Sequence, residues 1–421
     1  MEVIRLLNFI LSVIFTICYA YQYIYIAIPF FVREKPTVRP VIPHRYAVLI
    51  SARNEQLVIA QLIDSIKAQN YPGELVTIFV VADNCTDRTA EIAQQAGAIV
   101  FERFNTQQIG KGYALEYLFD QIRENYESDL FDAYLVFDAD NLLDENYLAE
   151  MNKTFSQGHK IITSYRNSKN YGKNWITAGY SLWFLRESKY LNNARFLLGT
   201  SCAVSGTGFL LSREILERNG GWKFFLLTED IEFSVHSVLQ GEKIVFCKNA
   251  VLYDEQPDTF RVSWKQRVRW AKGFFQVFRK YGGRLVATAI TRPSFACYDL
   301  TMMIMPAIML TVLGLLLNLS GIIIGLIADA TVGVVLLSIL ETFLNAYLLL
   351  FVMGLITTIT EWRQIYCSAP RKLLFTLTFP LFMFTYIPIG LFALVSRVEW
   401  TPVHHSHCRT LNEVRSEARS A

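Results

Sequence analysis

Tyr134-Leu135-Val136-Phe137-Asp138-Ala139-Asp140 reads as a short apolar strand ending on two carboxylates one residue apart. Such carboxylates, just past a strand end, point the same way and suit a divalent cation holding a diphosphate. Upstream, Arg45 to Ser51 is a strand-like apolar run before Ala52-Arg53-Asn54-Glu55, and Glu55 to Gln69 carries Leu62, Ile63 and Ile66 at helical spacing. Val76 to Val81 predicts another strand ending at Ala82-Asp83-Asn84. Thr86 to Ala96 predicts a helix stopped by Gly97, and Ala98 to Phe101 a further strand. Strands and helices alternating over short links predict a doubly wound, mostly parallel α/β sheet with ligands at the carboxyl ends of its strands. Asn54, Glu55, Asp83, Asp138 and Asp140 all fall at such ends. Each alone reads as turn chemistry. Their coincidence along one sheet edge points to a site.

The 421 residues are 52% hydrophobic and 18% charged, with mean hydropathy +0.27. This fits an integral membrane protein with a sizeable aqueous domain. A net charge of +3 gives no argument for nucleic acid. Seven scattered cysteines without a CxxC read as reduced thiols, not as a disulfide frame or zinc site. Leu6 to Val32, Thr301 to Ala328, Thr331 to Thr360 and Leu373 to Ser396 approach or exceed the length that crosses a bilayer. The first run is too long, and lacks the cleavage site, for a removable signal peptide. Arg33, Lys35, Arg39 and Arg45 after it predict a cytoplasmic aqueous region in a multi-pass plasma-membrane protein. Three later spans would leave the tail outside, yet Arg397, Arg409, Arg415 and Arg419 argue for inside. Glu341, Pro380 and Pro388 predict that one run is broken, re-entrant or interfacial. The division is a transmembrane helix over 1–35, a catalytic domain over 36–257, amphipathic interface helices over 258–293, a transmembrane region over 294–398, and a tail over 399–421.

No GxGxxG follows the first strand and no GxxxxGK[ST] occurs, so neither a dinucleotide fold nor a P-loop is supported. A nucleotide here needs other neutralisation, which Asp140 with a metal and Lys111, between Gly110 and Gly112, could supply. Thr228-Glu229-Asp230 reads as a helix start with Thr228 as N-cap, and equally as a place for a general base. Ser205-Gly206-Thr207-Gly208 would let a bulky acceptor approach the backbone, or be a simple turn. Asp258 to Tyr281 mixes aromatics with arginines and lysines as an interfacial helix does. Within it Gln266, Arg269 and Trp270 share one face. An indole stacks on sugar rings, and arginine offers fixed charge to a diphosphate.

Asp138-Ala139-Asp140, Thr228-Glu229-Asp230 and Gln266-x-x-Arg269-Trp270, in this order between membrane segments, resemble the processive family-2 glycosyltransferases: synthases of cellulose, chitin, hyaluronan, poly-N-acetylglucosamine and mixed-linkage glucan. The resemblance covers about residues 45 to 290. It implies a GT-A domain joined to an α-helical transmembrane domain, using a UDP-sugar and Mg2+ or Mn2+. By the same resemblance, Ala52, Asn54, Glu55, Asp83, Lys111 and Asp138 would bind the nucleotide-sugar, with uracil and ribose at Glu55 and Asp83 and the diphosphate at Lys111. Asp140 would hold the metal and Asp230 would be the base. Glu229, Gln266, Arg269, Trp270, Ser205, Gly206 and Thr207 would serve the acceptor and the leaving group. Trp400, Thr401 and His404, in Glu399-Trp400-Thr401-Pro402-Val403-His404, resemble a gating segment that covers UDP. The expected function is inverting polymerisation of a UDP-hexose, with UDP-glucose and a β-glucan favoured. Alternatives are a poly-N-acetylglucosamine, hyaluronan or chitin type using UDP-GlcNAc, and a non-processive transferase adding one sugar to a lipid. A transporter or channel using Asp299 and Glu341 is a third reading. The partners expected are the UDP-sugar, the growing polysaccharide, the bilayer and an accessory subunit or second copy, with no nucleic acid.

Overall fold

A computed structural model describes residues 2–34, 36, 38–327, 333–402, 405 and 408–416. The chain opens with helices α1 (Glu2–Tyr19) and α2 (Tyr21–Phe31). The aqueous domain follows as β1 (Tyr46–Ala52), α3 (Ile59–Lys67), β2 (Val76–Asp83), α4 (Thr89–Gln95), β3 (Ile99–Arg103), α5 (Lys111–Asn125), β4 (Ala133–Asp138), β5 (Leu142–Leu143), α6 (Tyr147–Ser156) and β6 (Ile161–Ser168). Then come α7 (Trp175–Arg186), α8 (Asn193–Leu197), β7 (Phe209–Ser212), α9 (Arg213–Arg218), α10 (Glu229–Leu239) and β8 (Ile244–Asp254). Each strand and helix predicted between residues 45 and 137 is present within a few residues of its expected place.

The sheet runs β3-β2-β1-β4-β7-β6-β8-β5. Its first four strands are parallel, and β7 is antiparallel to both neighbours. Side-chain alternation sends Tyr46, Val48 and Ile50 to one face against Leu62, Ile63 and Ile66 of α3, and Ala47 and Leu49 to the other against Leu115 and Leu118 of α5. Burial on both faces explains why β1 reads as a continuous apolar run. The carboxyl ends of β1, β2 and β4 therefore share one edge. The fold is α/β, and helices long enough for a membrane accompany it.

After β8 come α11 (Phe260–Thr291), α12 (Phe295–Ile304), α13 (Pro306–Ile327), α14 (Gly333–Thr360), α15 (Ala369–Phe384) and α16 (Tyr386–Val395), with a short α17 (Leu411–Ser416) in the tail. The stretch expected to hold several interface helices is one helix of 32 residues, α11, because no proline or capping signal interrupts it before Pro293. Among the described residues, four segments are long and apolar enough to cross a bilayer: Leu6–Phe31, Ala307–Ile324, Leu336–Thr360 and Ala369–Val395. The last differs from the others, with 33% of it buried against 6% for each of the other three. Both its ends also return to the aqueous domain. Ahead of α15, Tyr165 donates to Glu361 at 2.5 Å and Asn167 to the Gln364 carbonyl at 2.9 Å. Beyond α16, Arg415 pairs with Asp144 at 2.5 Å.

Domain and helices are locked by a buried ion pair. The Arg195 guanidinium grips the Asp299 carboxylate at 2.7 and 2.9 Å, and the Tyr21 and Tyr25 hydroxyls donate to the same carboxylate at 2.9 and 2.7 Å. All four groups are buried. Asp299, a polar-pathway candidate from sequence, is thus fully partnered.

Candidate active site

The carboxyl edge of the sheet gathers three loops. The first follows β1, where Asn54 takes a left-handed turn at φ 59°, a region that asparagine tolerates. Its Oδ1 accepts from Thr86 N at 2.8 Å, so it holds the β2–α4 loop in place. Ala52 is buried at the strand end. Glu55 is buried beside it, and burial, with Asp140 and Asp138 near, pushes its carboxyl up to about 7. Asp83 ends β2 as expected, but its Oδ1 is engaged by Arg103 at 2.6 Å and by Asn84 at 3.1 Å.

The second loop carries Asp138 and Asp140. Asp138 pairs with Lys111, whose ammonium also donates to the Gly206 carbonyl at 2.8 Å. Lys111 thereby joins β4 to the Ser205–Gly208 loop. Thr207 reinforces this: its hydroxyl donates to Asn141 and accepts from Asp138 N at 2.9 Å. Asp140 is buried, and its Oδ2 accepts from Glu255 N at 2.9 Å. Burial opposes its charge, yet His405, Lys169 and Arg166 outweigh that and hold its carboxyl below the usual range.

His405 is a residue the sequence reading did not single out. Its Nδ1 lies 3.0 Å from both Glu55 oxygens and its Nε2 lies 3.9 Å from Asp140 Oδ2. Burial opposes its charge, but Asp140 and Glu55 carry the imidazole up to about 10. His404, the expected gating residue, lies outside the described residues, and Thr401 is exposed. Trp400 sits in the site: Arg53 and Arg269 lie 5.4 and 5.9 Å from its ring centre, and a Cβ at Gly110 would meet its ring at 3.9 Å.

The third loop presents Glu229 and Asp230 at the start of α10. Thr228 occupies the N-cap position, but its hydroxyl makes no hydrogen bond, so the expected capping role is replaced by packing against Gly273. Glu232, one turn on, takes over. One of its oxygens accepts from Phe225 N and Leu226 N at 2.9 and 3.0 Å, and the other from Lys280 at 2.5 Å. Asp230 is half-buried, and a Cβ on Gly206 (φ 80°) would lie only 3.9 Å from its Oδ2. Burial raises its carboxyl, while burial and Asp230 together push Glu229 up to about 7. A buried, proton-hungry carboxylate over a glycine loop has the properties of a general base.

On α11, Trp270 stands edge-on to Tyr180 and Phe184 at 5.8 and 6.3 Å. Gln266 presents a buried Oε1 with no hydrogen-bond partner among the described residues, an acceptor waiting for a donor. Arg267, between the motif positions and unremarked in the sequence, is fully buried, donates to Thr385 at 2.6 Å and lies over the Phe382 ring at 4.3 Å. It clasps α11 to the α15–α16 break. Contacts thus tie Asp138, Lys111, Gly206, Thr207 and Asp230 into one group, Glu55, His405 and Asp140 into a second, and Arg53, Arg269 and Trp400 into a third, while Asp83 is engaged by Arg103 and Thr401 is exposed.

Among the described residues no three His, Cys, Asp or Glu side chains already form a metal cage. Asp140 is a hard oxygen ligand, fitting a cation that draws its remaining ligands from a diphosphate, and the positively charged His405 imidazole beside it adds charge of the same sign.

Comparison with known proteins places this geometry. The chain is 27% identical over 244 residues to the probable glycosyltransferase YdaM of Bacillus subtilis (56% of this chain, 57% of the relative). It is 26% identical over 240 residues to the beta-monoglucosyldiacylglycerol synthase of Synechocystis (56% and 48%), and 24% over 256 residues to the poly-beta-1,6-N-acetyl-D-glucosamine synthase of Staphylococcus epidermidis (59% and 60%). The chain spans about half the length of these curated relatives. Among solved structures, the mannosyltransferase PcManGT of Pyrobaculum calidifontis, in complex with GDP-Man and Mn2+, superposes with TM-score 0.57 at 17% identity, covering 91% of this chain and 99% of that one. That likeness extends the shared fold across the long apolar helices. The model of the glycosyltransferase-like family 2 matches residues 43–273, which hold all three loops of the site, Trp400 and His405 lying beyond it, and the chain belongs to that family.

Proposed function

We propose that this family-2 glycosyltransferase moves a hexose from a UDP-sugar to an acceptor hydroxyl with inversion, at the cytoplasmic face of the plasma membrane, and repeats the step to build a β-linked polysaccharide. The observation that carries the reading is Asp230 poised over Gly206. Lys111, tied to that same glycine's carbonyl, and Asp138 lie on the nucleotide side, and Trp270 and Gln266 on the other. A base and a donor anchor then face each other across one loop. Asp140, with Asp138 beside it, would hold a magnesium or manganese ion, which when bound offsets charge on the departing diphosphate. Lys111 and Arg269 supply fixed positive charge to the same phosphates. Asp230 takes the proton from the acceptor hydroxyl, that oxygen bonds to the anomeric carbon, and the bond to UDP breaks on the opposite face. Trp400 and Glu55 close over the nucleotide, and Trp270 stacks on the acceptor.

UDP-glucose and a β-glucan are the favoured pair, with UDP-GlcNAc the alternative donor. The returning ends of Ala369–Val395 favour three crossings, by the first, second and third apolar segments, with α15–α16 lying along the interface. This keeps the arginine-rich tail on the catalytic side. A second reading, one sugar added to a lipid, draws on the packing above Trp270: Phe382 fills the space over Gly179 so closely that a Cβ there would lie 2.3 Å from its ring. A polymer would need another route, such as one formed with an accessory subunit or second copy. Purified protein given radiolabelled UDP-glucose or UDP-GlcNAc decides by product size. Label in material excluded on gel filtration, lost on chelation, supports polymerisation, whereas label solely in single-sugar lipid rejects it.

A further inference from the structure

Helix α7 does not end cleanly at Arg186. The chain widens into a six-residue π turn, Glu187–Asn192, before α8. Such turns are rare and recur at functional sites, because the extra residue re-aims side chains. Here the first residue of the turn is directed at the Ser205–Gly208 loop, and Glu187 Oε2 accepts from Ser205 Oγ at 3.3 Å. This long bond is the one hydrogen bond its carboxyl makes among the described residues. The neighbouring cations are committed elsewhere. Arg166 is bound to Asp254 and to the Ser205 carbonyl and lies 3.7 Å over the Phe184 ring, while Arg195 is held by Asp299.

Glu187 is half-buried. Burial raises its carboxyl above the ordinary range, and the nearby Asp230 adds to the effect. Its oxygens thus keep unused hydrogen-bonding capacity beside the loop that carries Gly206 under the base. Trp270, part-exposed on α11 and held edge-on by the buried Tyr180 and Phe184, offers the aromatic surface. Aromatic walls with a few placed polar groups are how ring-shaped, hydroxyl-bearing ligands are oriented.

We infer that Glu187 is a positioning residue that hydrogen-bonds a second hydroxyl of the acceptor, adjacent to the one Asp230 deprotonates, so that the acceptor is a sugar ring and not a simple alcohol. This rests on the glycosyl-transfer reading above and names the chemical class of its acceptor. Holding two neighbouring hydroxyls fixes the ring about the Trp270 face and leaves one oxygen to attack.

The test uses the full-length purified chain with Mn2+, UDP-glucose or UDP-GlcNAc as donor, and three acceptor probes: octyl β-glucoside, its monodeoxy analogues and 1,2-dioleoylglycerol. Glu187→Ala should lower kcat/KM for the glucoside about 10- to 100-fold, the range for leaving one buried hydroxyl unpaired. The loss should fall on the acceptor KM, with UDP affinity unchanged. One deoxy analogue should be used equally poorly by both proteins, since its missing hydroxyl is the one Glu187 holds. Should Glu187→Ala not fold, Glu187→Asp carries the same test, predicted to lose activity on the glucoside and none on that analogue. Transfer to dioleoylglycerol in preference to every glucoside overturns the inference, as does a loss in the variant that is equal for all deoxy analogues. Absence of transfer from either donor by the unmodified protein removes the underlying function, and this inference with it.

Discussion

Substituting Asp299 with alanine tests how the catalytic domain is fastened to its helices. Asp299 receives two hydrogen bonds from Arg195 and one each from Tyr21 and Tyr25, all between 2.7 and 2.9 Å. Alanine leaves the Arg195 charge buried without a counter-ion and two tyrosine hydroxyls without their acceptor. Breaking a buried pair from one side costs about 3–5 kcal/mol. With about 2–4 °C lost per kcal/mol in a domain of this size, the melting temperature in detergent should fall on the order of 10 °C. Removing both charges is a different perturbation, because no uncompensated ion remains. Arg195→Met combined with Asp299→Leu should recover most of the loss. Differential scanning fluorimetry of the parent, Arg195→Met, Asp299→Leu and the double variant gives the coupling. If Asp299→Ala melts with the parent, or the double variant is worse than either single one, the pair does not fasten the domain.

Gly112→Ala should damage stability and activity together by about 1–3 kcal/mol. Its Cβ would lie 2.1 Å from the Phe224 carbonyl, in backbone leading to Thr228–Asp230, and a circular-dichroism melt reads the effect. The acid limb of the transfer rate should lie above the usual carboxylate range, since burial raises Asp230 and pushes Glu229 up to about 7; Glu229→Gln, which removes a like charge, should move that limb to lower pH. A raised carboxyl also means that the folded state keeps a proton the unfolded chain has released. Stability should therefore fall as pH rises from about 4.5 to about 7, less so in Glu229→Gln. Trp400→Ala, by removing the ring between Arg53 and Arg269, should weaken UDP binding several-fold in calorimetry and leave acceptor KM unchanged.

The strand ends were legible because β1, β2 and β4 are short apolar runs stopped by polar residues, and alternation on a two-sided sheet leaves little freedom in where those residues lie. The membrane runs were legible as lengths, but not as crossings. Hydropathy cannot separate lipid from the aromatic faces of α7 and α11, and α15 packs on the first while α16 packs on the second. The register of the tail was invisible for a related reason. His404 and His405 are chemically identical in sequence, and which imidazole reaches Glu55 depends on the path of the chain back from α16. Glu187 gave no signal at all, because a π turn has no residue pattern of its own. Arg267 was overlooked because it is a charge on an interfacial helix, where a solvent-facing role is the ordinary expectation.

The central claim is that Asp230 takes the acceptor's proton while the donor is held independently of it. Asp230→Asn is nearly isosteric and leaves Lys111, Asp138 and Asp140 in place. The account predicts that this variant binds UDP with Mn2+ as tightly as the parent in calorimetry, yet transfers labelled sugar at least about 100-fold more slowly. Transfer at the parental rate by Asp230→Asn, with UDP binding intact, would contradict it.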